Sequence, residues 1–168
     1  RIVQGSIGIP LPDVDVRVVD AADPGKELPV GEVGELLVKG PMVMKGYWNR
    51  PEETRDTLKD GWLHTGDLAF MDNEGFLYIR GRKKELIKAS GYSVFPSEVE
   101  SLLYQHPAVG ECAVIGVAHP YRGEEVKAYV VLKPGYEGAV AGEDIVQWSR
   151  AHMAAYKYPR QVEIRNQL

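Results

Sequence analysis

The chain has 168 residues and 18.7 kDa, 44% of them hydrophobic and 26% charged, which suffices for one domain or two small ones and excludes disorder throughout. A net charge of -4 argues against general attraction to nucleic acid, although the cluster from Arg80 to Lys88 is a local exception. A single cysteine rules out an internal disulfide, and no apolar run approaches the roughly 20 residues that cross a bilayer. In the absence of an opening signal peptide, a cytoplasmic location is the default expectation.

From Val14 to Val18 apolar residues alternate with Asp15 and Arg17, the period of a half-buried strand, and a second strand is expected from Val33 to Lys39. Asp23-Pro24-Gly25 and Pro29-Val30-Gly31 between them favour reversals, giving an antiparallel, barrel-like beginning. Pro51, followed by Glu52 and Glu53 at the positive end and closed by Gly61, predicts a short helix over about 51–58. The apolar runs at 68–71 and 76–79 flank Asp72-Asn73-Glu74-Gly75 and predict a hairpin. Such a hairpin makes neighbours of Asp67 and Arg82, which stand fifteen residues apart in the chain.

Beyond Arg82 the period changes. Pro96 starts a helix with Val99, Leu102 and Leu103 on one face, and strands are expected at about 111–118 and 126–132. Cys112 lies in the first of these as a core residue. A helix near 143–153, carrying Ile145, Trp148 and Met153, and a strand near 161–165 complete the pattern. The fold class is α+β, a β-rich first part followed by a small part with helices on an antiparallel sheet.

The chemistry concentrates at the junction Gly81-Arg82-Lys83-Lys84-Glu85-Leu86-Ile87-Lys88-Ala89-Ser90-Gly91-Tyr92. One carboxylate accepts hydrogen bonds from two adjacent ribose hydroxyls, which suits Asp67 behind Gly66, and Arg82 offers a planar fork of donors to ribose or phosphate. On spacing alone, a structural Asp67–Arg82 salt bridge, or two unrelated turn residues, is the favoured reading of the pair. Lys88 is either a cation that favours a thiolate and offsets adenylate charge or a solvated strand-end lysine. Gly91 either lets a ligand approach the backbone or simply turns the chain. Arg122, Tyr156 and Lys157 are exposed surface residues unless a nucleotide stacks there. His64 and His119 read as turn or packing residues, Trp48 and Trp62 as packing anchors, and no spacing resembles a metal site.

Gly46-Tyr47, Trp62-Leu63-His64-Thr65-Gly66-Asp67, the turn at 72–75, Gly81-Arg82 and the run from Leu86 to Glu100 occur in order. Together they resemble the acyl-CoA synthetase branch of the adenylate-forming superfamily, with a look closest to bacterial fatty-acyl-CoA ligases. The resemblance implies that a carboxylic acid reacts with ATP to give an acyl-adenylate and pyrophosphate, after which coenzyme A displaces AMP. It implies Asp67 on the ribose, Arg82 on the nucleotide, Lys84 at the hinge, and Ser90, Gly91 and Tyr92 along the pantetheine passage. Lys88 is its catalytic candidate, Arg122, Tyr156 and Lys157 are candidates for the CoA nucleotide, and Mg²⁺ is expected in the parent enzyme without a ligand here.

On this resemblance residues 1–81 end a large AMP-binding domain, 82–85 form the hinge, and 86–168 belong to a mobile C-terminal domain. The phosphate loop and acyl pocket are expected ahead of Arg1 and a Gly-Lys motif with the adenylation lysine beyond Leu168, so the fragment alone is expected to be inactive. A ligase that delivers acyl groups to a carrier protein, and a noncatalytic nucleotide-binding or interaction module, are the competing readings.

Overall fold

The structure is a computed structural model and describes residues 3–168. The chain divides into two compact units, Arg1–Lys84 and Glu85–Leu168. Each is mixed α/β around a five-stranded, mostly antiparallel sheet.

In the first unit, β1 (Asp15–Val19) pairs antiparallel with β2 (Gly34–Lys39), and β2 pairs with the long β4 (Trp62–Met71). The other side of β4 takes β3 (Leu58–Lys59) at one end and β5 (Leu77–Arg82) at the other. Alternation puts Val18 and Leu36 into a small core with Ala69 and Leu77. Helix α1 (Pro51–Thr57) starts on its proline as expected, but buries no residue. It is tied down by polar groups instead: the Thr54 hydroxyl donates to Arg50 O and accepts from Tyr47 N. Trp48 is no packing anchor, being 89% exposed, whereas Trp62 is half-buried beneath the Arg17 guanidinium, 4.4 Å from its ring centroid.

The hairpin between β4 and β5 turns on Asp72, whose side chain accepts hydrogen bonds from the backbone N–H groups of Glu74 and Phe76 and from the Tyr78 hydroxyl. Desolvation would raise the Asp72 pKa, and these donors outweigh it and hold the carboxyl below its ordinary value. A bulge between Leu68 and Ala69 shifts the register, so that Asp67 falls opposite Arg82.

In the second unit, β6 (Ile87–Ala89) and β7 (Tyr92–Val94) form a small hairpin, and α2 (Pro96–Leu103) follows, with Val99 and Leu103 fully buried. β8 (Val109–His119) and β9 (Gly123–Leu132) are the longest antiparallel pair of this unit. Helix α3 (Gly142–His152) then leads to β10 (Gln161–Ile164). β10 runs parallel to β9, the one departure from an antiparallel sheet, because a whole helix separates the two strands in sequence. The core gathers Ile87, Val94, Val99, Leu103, Val126, Val130 and Ile145, and the buried Cys112 joins it as expected. Burial pushes the Cys112 thiol up to about 11, which suits packing and disfavours nucleophilic chemistry.

Candidate functional site

Asp67 and Arg82 meet at the end of the β4–β5 ladder, where Arg82 Nη1 donates to Asp67 Oδ1 at 2.5 Å. The preceding turn is prepared by Thr65. Its hydroxyl donates to Leu36 O at 2.8 Å and accepts from Asp67 N at 3.0 Å, while Gly66 takes φ +71°, open to glycine at no steric cost. Thr65 thus fixes the backbone that carries Asp67, a role the sequence reading did not assign. The ion pair is partly solvated, with 29% of the Asp67 side chain and 50% of the Arg82 side chain exposed, so it adds little to stability by itself. Asp67 retains Oδ2 and further lone pairs for a ligand. Beside it Gly66, Arg82, Lys83 and Lys84 line an open cleft of about 430 Å³.

Glu35, also absent from the sequence reading, is a buried carboxylate in β2. Lys83 Nζ reaches its Oε2 at 2.8 Å, and His64 Nδ1 stands 3.7 Å from the same atom. His64 is therefore packed against a carboxylate, and His119 sits at a turn where its Nδ1 accepts from Tyr121 N. Lys84 lies exposed in a 3-10 turn, Lys83–Glu85.

The run around Lys88 folds as the β6–β7 hairpin. Ser90 and Gly91 form its two-residue turn, both with positive φ, +53° and +84°, the geometry of a primed turn that follows strand twist. Lys88 is in mid-strand, opposite Ser93, and its ammonium donates to Ser93 Oγ at 2.8 Å. Its backbone N–H is held by Glu124 at 2.6 Å. Tyr92 is stacked on Tyr156, ring centroids 4.4 Å apart. Lys157 makes an ion pair with Glu98, and Arg122 one with Glu125 at 2.9 Å. A cavity of about 220 Å³ behind the hairpin is lined by Ala89, Ser90, Arg122, Tyr156, Tyr158 and Arg160, among others. The structure thus brings together Asp67 with Arg82 in the first unit, and Lys88, Ser90, Gly91, Tyr92 and Tyr156 in the second. Among the described residues, no group of three or more His, Cys, Asp or Glu side chains is disposed to hold a metal ion.

Residues 2–48 match the AMP-binding enzyme family, and residues 98–168 match the AMP-binding enzyme C-terminal domain. The first compact unit thus carries a match to AMP-binding enzymes and the second a match to their C-terminal domain. A long-chain-fatty-acid–CoA ligase from Bacillus subtilis (strain 168) is 49% identical over 98% of this chain and 29% of its own length. A feruloyl-CoA synthase from Amycolatopsis is 44% identical over 98% of this chain and 33% of its own. Among solved structures, ATP-bound MatB from Rhodopseudomonas palustris superimposes with a TM-score of 0.89 at 40% identity, over 98% of this chain and 32% of that one. The chain therefore spans about three tenths of the length of the curated relatives it matches.

Proposed function

We propose that the chain is the C-terminal part of an ATP-dependent acid–CoA ligase that acts on a fatty or other hydrophobic carboxylic acid. The observation that carries this reading is the Asp67–Arg82 pair, set by strand register at the mouth of an open cleft, in a chain 49% identical to a long-chain-fatty-acid–CoA ligase. In the proposed reaction a substrate carboxylate oxygen attacks the α-phosphorus of ATP, and pyrophosphate leaves. The thiol sulfur of coenzyme A then attacks the acyl carbonyl, loses its proton, and AMP leaves with the electron pair of the broken acyl–oxygen bond.

Asp67 accepts hydrogen bonds from the ribose hydroxyls through lone pairs that Arg82 does not use, and Arg82 fixes the position of the carboxylate while facing the nucleotide. Holding the nucleotide at two fixed groups favours in-line attack by reducing the freedom lost in the transition state. Lys88, already oriented by Ser93, places positive charge on the hairpin that is presented for thioester formation. The cavity with Arg122, Tyr156 and Arg160 supplies cations and an aromatic face suited to the CoA nucleotide. Lys84 is the proposed hinge within 82–85, between the end of the large AMP-binding domain at residue 81 and the mobile domain from residue 86. Mg²⁺ would accompany ATP, but the described residues offer no cluster to bind it, and no step is assigned to it here. No helix among the described residues is long and apolar enough to cross a membrane, and a cytoplasmic location belongs to the same proposal.

The test is product analysis with the full-length enzyme that carries this chain. Acid-dependent release of AMP and pyrophosphate with formation of an acyl-CoA thioester is expected. Transfer to a carrier protein but not to CoA would replace the acceptor, and no acid-dependent use of ATP would overturn the ligase reading. Residues 1–168 alone are expected to show no acid-dependent pyrophosphate exchange.

A further inference from the structure

Three successive cations at the end of β5 are held in three different ways. Arg82 is paired with Asp67, Lys83 is paired with Glu35, and Lys84 is exposed, its side chain making no hydrogen bond or ion pair among the described residues. The boundary between the two compact units falls directly after Lys84.

Glu35 gives this order its significance. It is 3% exposed, and a carboxylate so far from water needs a partner that offsets its lost hydration. That group arrives from 48 residues later in the chain, as the ammonium of Lys83 at 2.8 Å. Glu35 belongs to β2 and lies opposite Leu68 of β4, which in turn lies opposite Gly81 of β5. The Lys83 ammonium is therefore anchored to the first unit's sheet two strands away from β5, which Lys83 directly follows. Beyond Lys83 no side chain of the 3-10 turn is tied to that sheet: Lys84 is free, and Glu85 is the first residue of the second unit.

We infer that Glu35 is a positioning residue, a clamp on Lys83 that ends the rigid part of the first unit at residue 83 and makes Lys84 the first residue able to turn. The inference rests on the ligase reading for its functional meaning. When the C-terminal portion rotates between half-reactions, the clamp keeps Arg82 beside Asp67 while the backbone beyond Lys83 changes direction. Without it, the flexible point spreads back through Lys83 to Arg82, and the nucleotide contact moves with the rotation.

The test compares full-length wild type with Glu35→Gln and Lys83→Met by residue-resolved hydrogen exchange and by separate assays of the two half-reactions. Both variants are expected to exchange about tenfold faster at residues 81–83, with β4 unchanged through Trp62–Met71, because release is local. Thioester formation from preformed acyl-adenylate is expected to fall severalfold more than adenylation. Unchanged exchange at 81–83 in both variants overturns the clamp, and so does acceleration spread evenly over the sheet, which reports a loosened fold. Local release with equal loss in both half-reactions overturns its role at the pivot. Should Lys83→Met, which leaves the buried Glu35 carboxylate without its partner, fail to fold, Glu35→Gln, which removes that charge, carries the comparison. A wild type that makes no acyl-CoA refutes the ligase reading, whereas the exchange data still decide whether Glu35 clamps Lys83.

Discussion

Replacing Asp67 with alanine separates a nucleotide-binding carboxylate from a structural one, because the two roles predict different magnitudes. As a structural group, Asp67 contributes a half-solvated ion pair with Arg82, worth about 0–1 kcal/mol to folding. As a ribose acceptor it makes two hydrogen bonds from a charged group, each worth about 1.5–3 kcal/mol, so at least about 3 kcal/mol disappears. At 1.4 kcal/mol per factor of ten this is a loss of about 100-fold or more in kcat/KM for ATP, with thermal stability almost unmoved. Measuring both quantities on the full-length enzyme gives the first comparison. The second uses 2′-deoxy-ATP: wild type is expected to discriminate against it, and Asp67→Ala to lose most of that discrimination, as a cycle between interacting partners requires. Unchanged ATP kinetics, or discrimination that survives the substitution, would refute the ribose assignment.

Gly142→Ala at the start of α3 would gain about 0.5–1 kcal/mol if helix propensity ruled, but the added Cβ would lie 2.3 Å from Val162 O, a backbone atom that no rotamer change can move. Overpacking of about 1–3 kcal/mol is expected to win, lowering the urea midpoint read from the fluorescence of Trp148, the second unit's tryptophan; an unchanged or higher midpoint would count against the close approach. Ser149→Ala is expected to stabilise the same unit by about 1 kcal/mol, since its fully buried Oγ has no hydrogen-bond partner among the described residues; destabilisation in the same assay would reveal a partner. Burial holds the His106 pKa below 6.5, consistent with a neutral Nδ1 that accepts from Ala108 N. The unfolded chain therefore binds more protons just below pH 6.5, so this contribution to stability is present above that pH and lost as pH falls toward the folded pKa; His106→Gln should flatten the dependence in denaturant titrations at stepped pH. Lys84→Pro should slow thioester formation more than adenylation, because proline fixes φ where rotation is proposed; equal loss of both rates would contradict a hinge at this residue.

Much of the fold was legible because its signals were local. Pro51 and Pro96 mark the first residues of α1 and α2, and the apolar runs on either side of the turn at 72–75 predict the hairpin that makes neighbours of Asp67 and Arg82, while the bulge that sets the two directly opposite has no local signal. The β6–β7 hairpin escaped because three-residue strands are too short for alternation to register, although Ser90-Gly91 is a turn dipeptide and was its one available signal. Glu35 looks like an exposed position in an alternating strand. Its burial depends on Lys83 and His64, brought together by tertiary pairing that no window around β2 contains. Trp48 failed for the converse reason, since an aromatic residue suggests a core while its neighbourhood is fixed by the polar contacts of Thr54.

The parallel seating of β10 on β9 has a consequence for how the second unit is assembled during synthesis. β9 can zip onto β8 as soon as residue 132 is available, but the partner of its segment at Lys127–Val130 is not made until α3 has been translated and residues 161–164 follow. For that interval a β-rich stretch containing Val130 and Tyr129 carries unsatisfied backbone donors and acceptors along one side, the condition under which nascent chains associate with one another. Closure then comes late and across a long loop, a slow kind of contact, and the Lys127–Glu163 ion pair at 2.7 Å joins the two strands where they first meet. Yield in a cell is thus expected to depend on translation speed through residues 133–160, between the end of β9 and the start of β10.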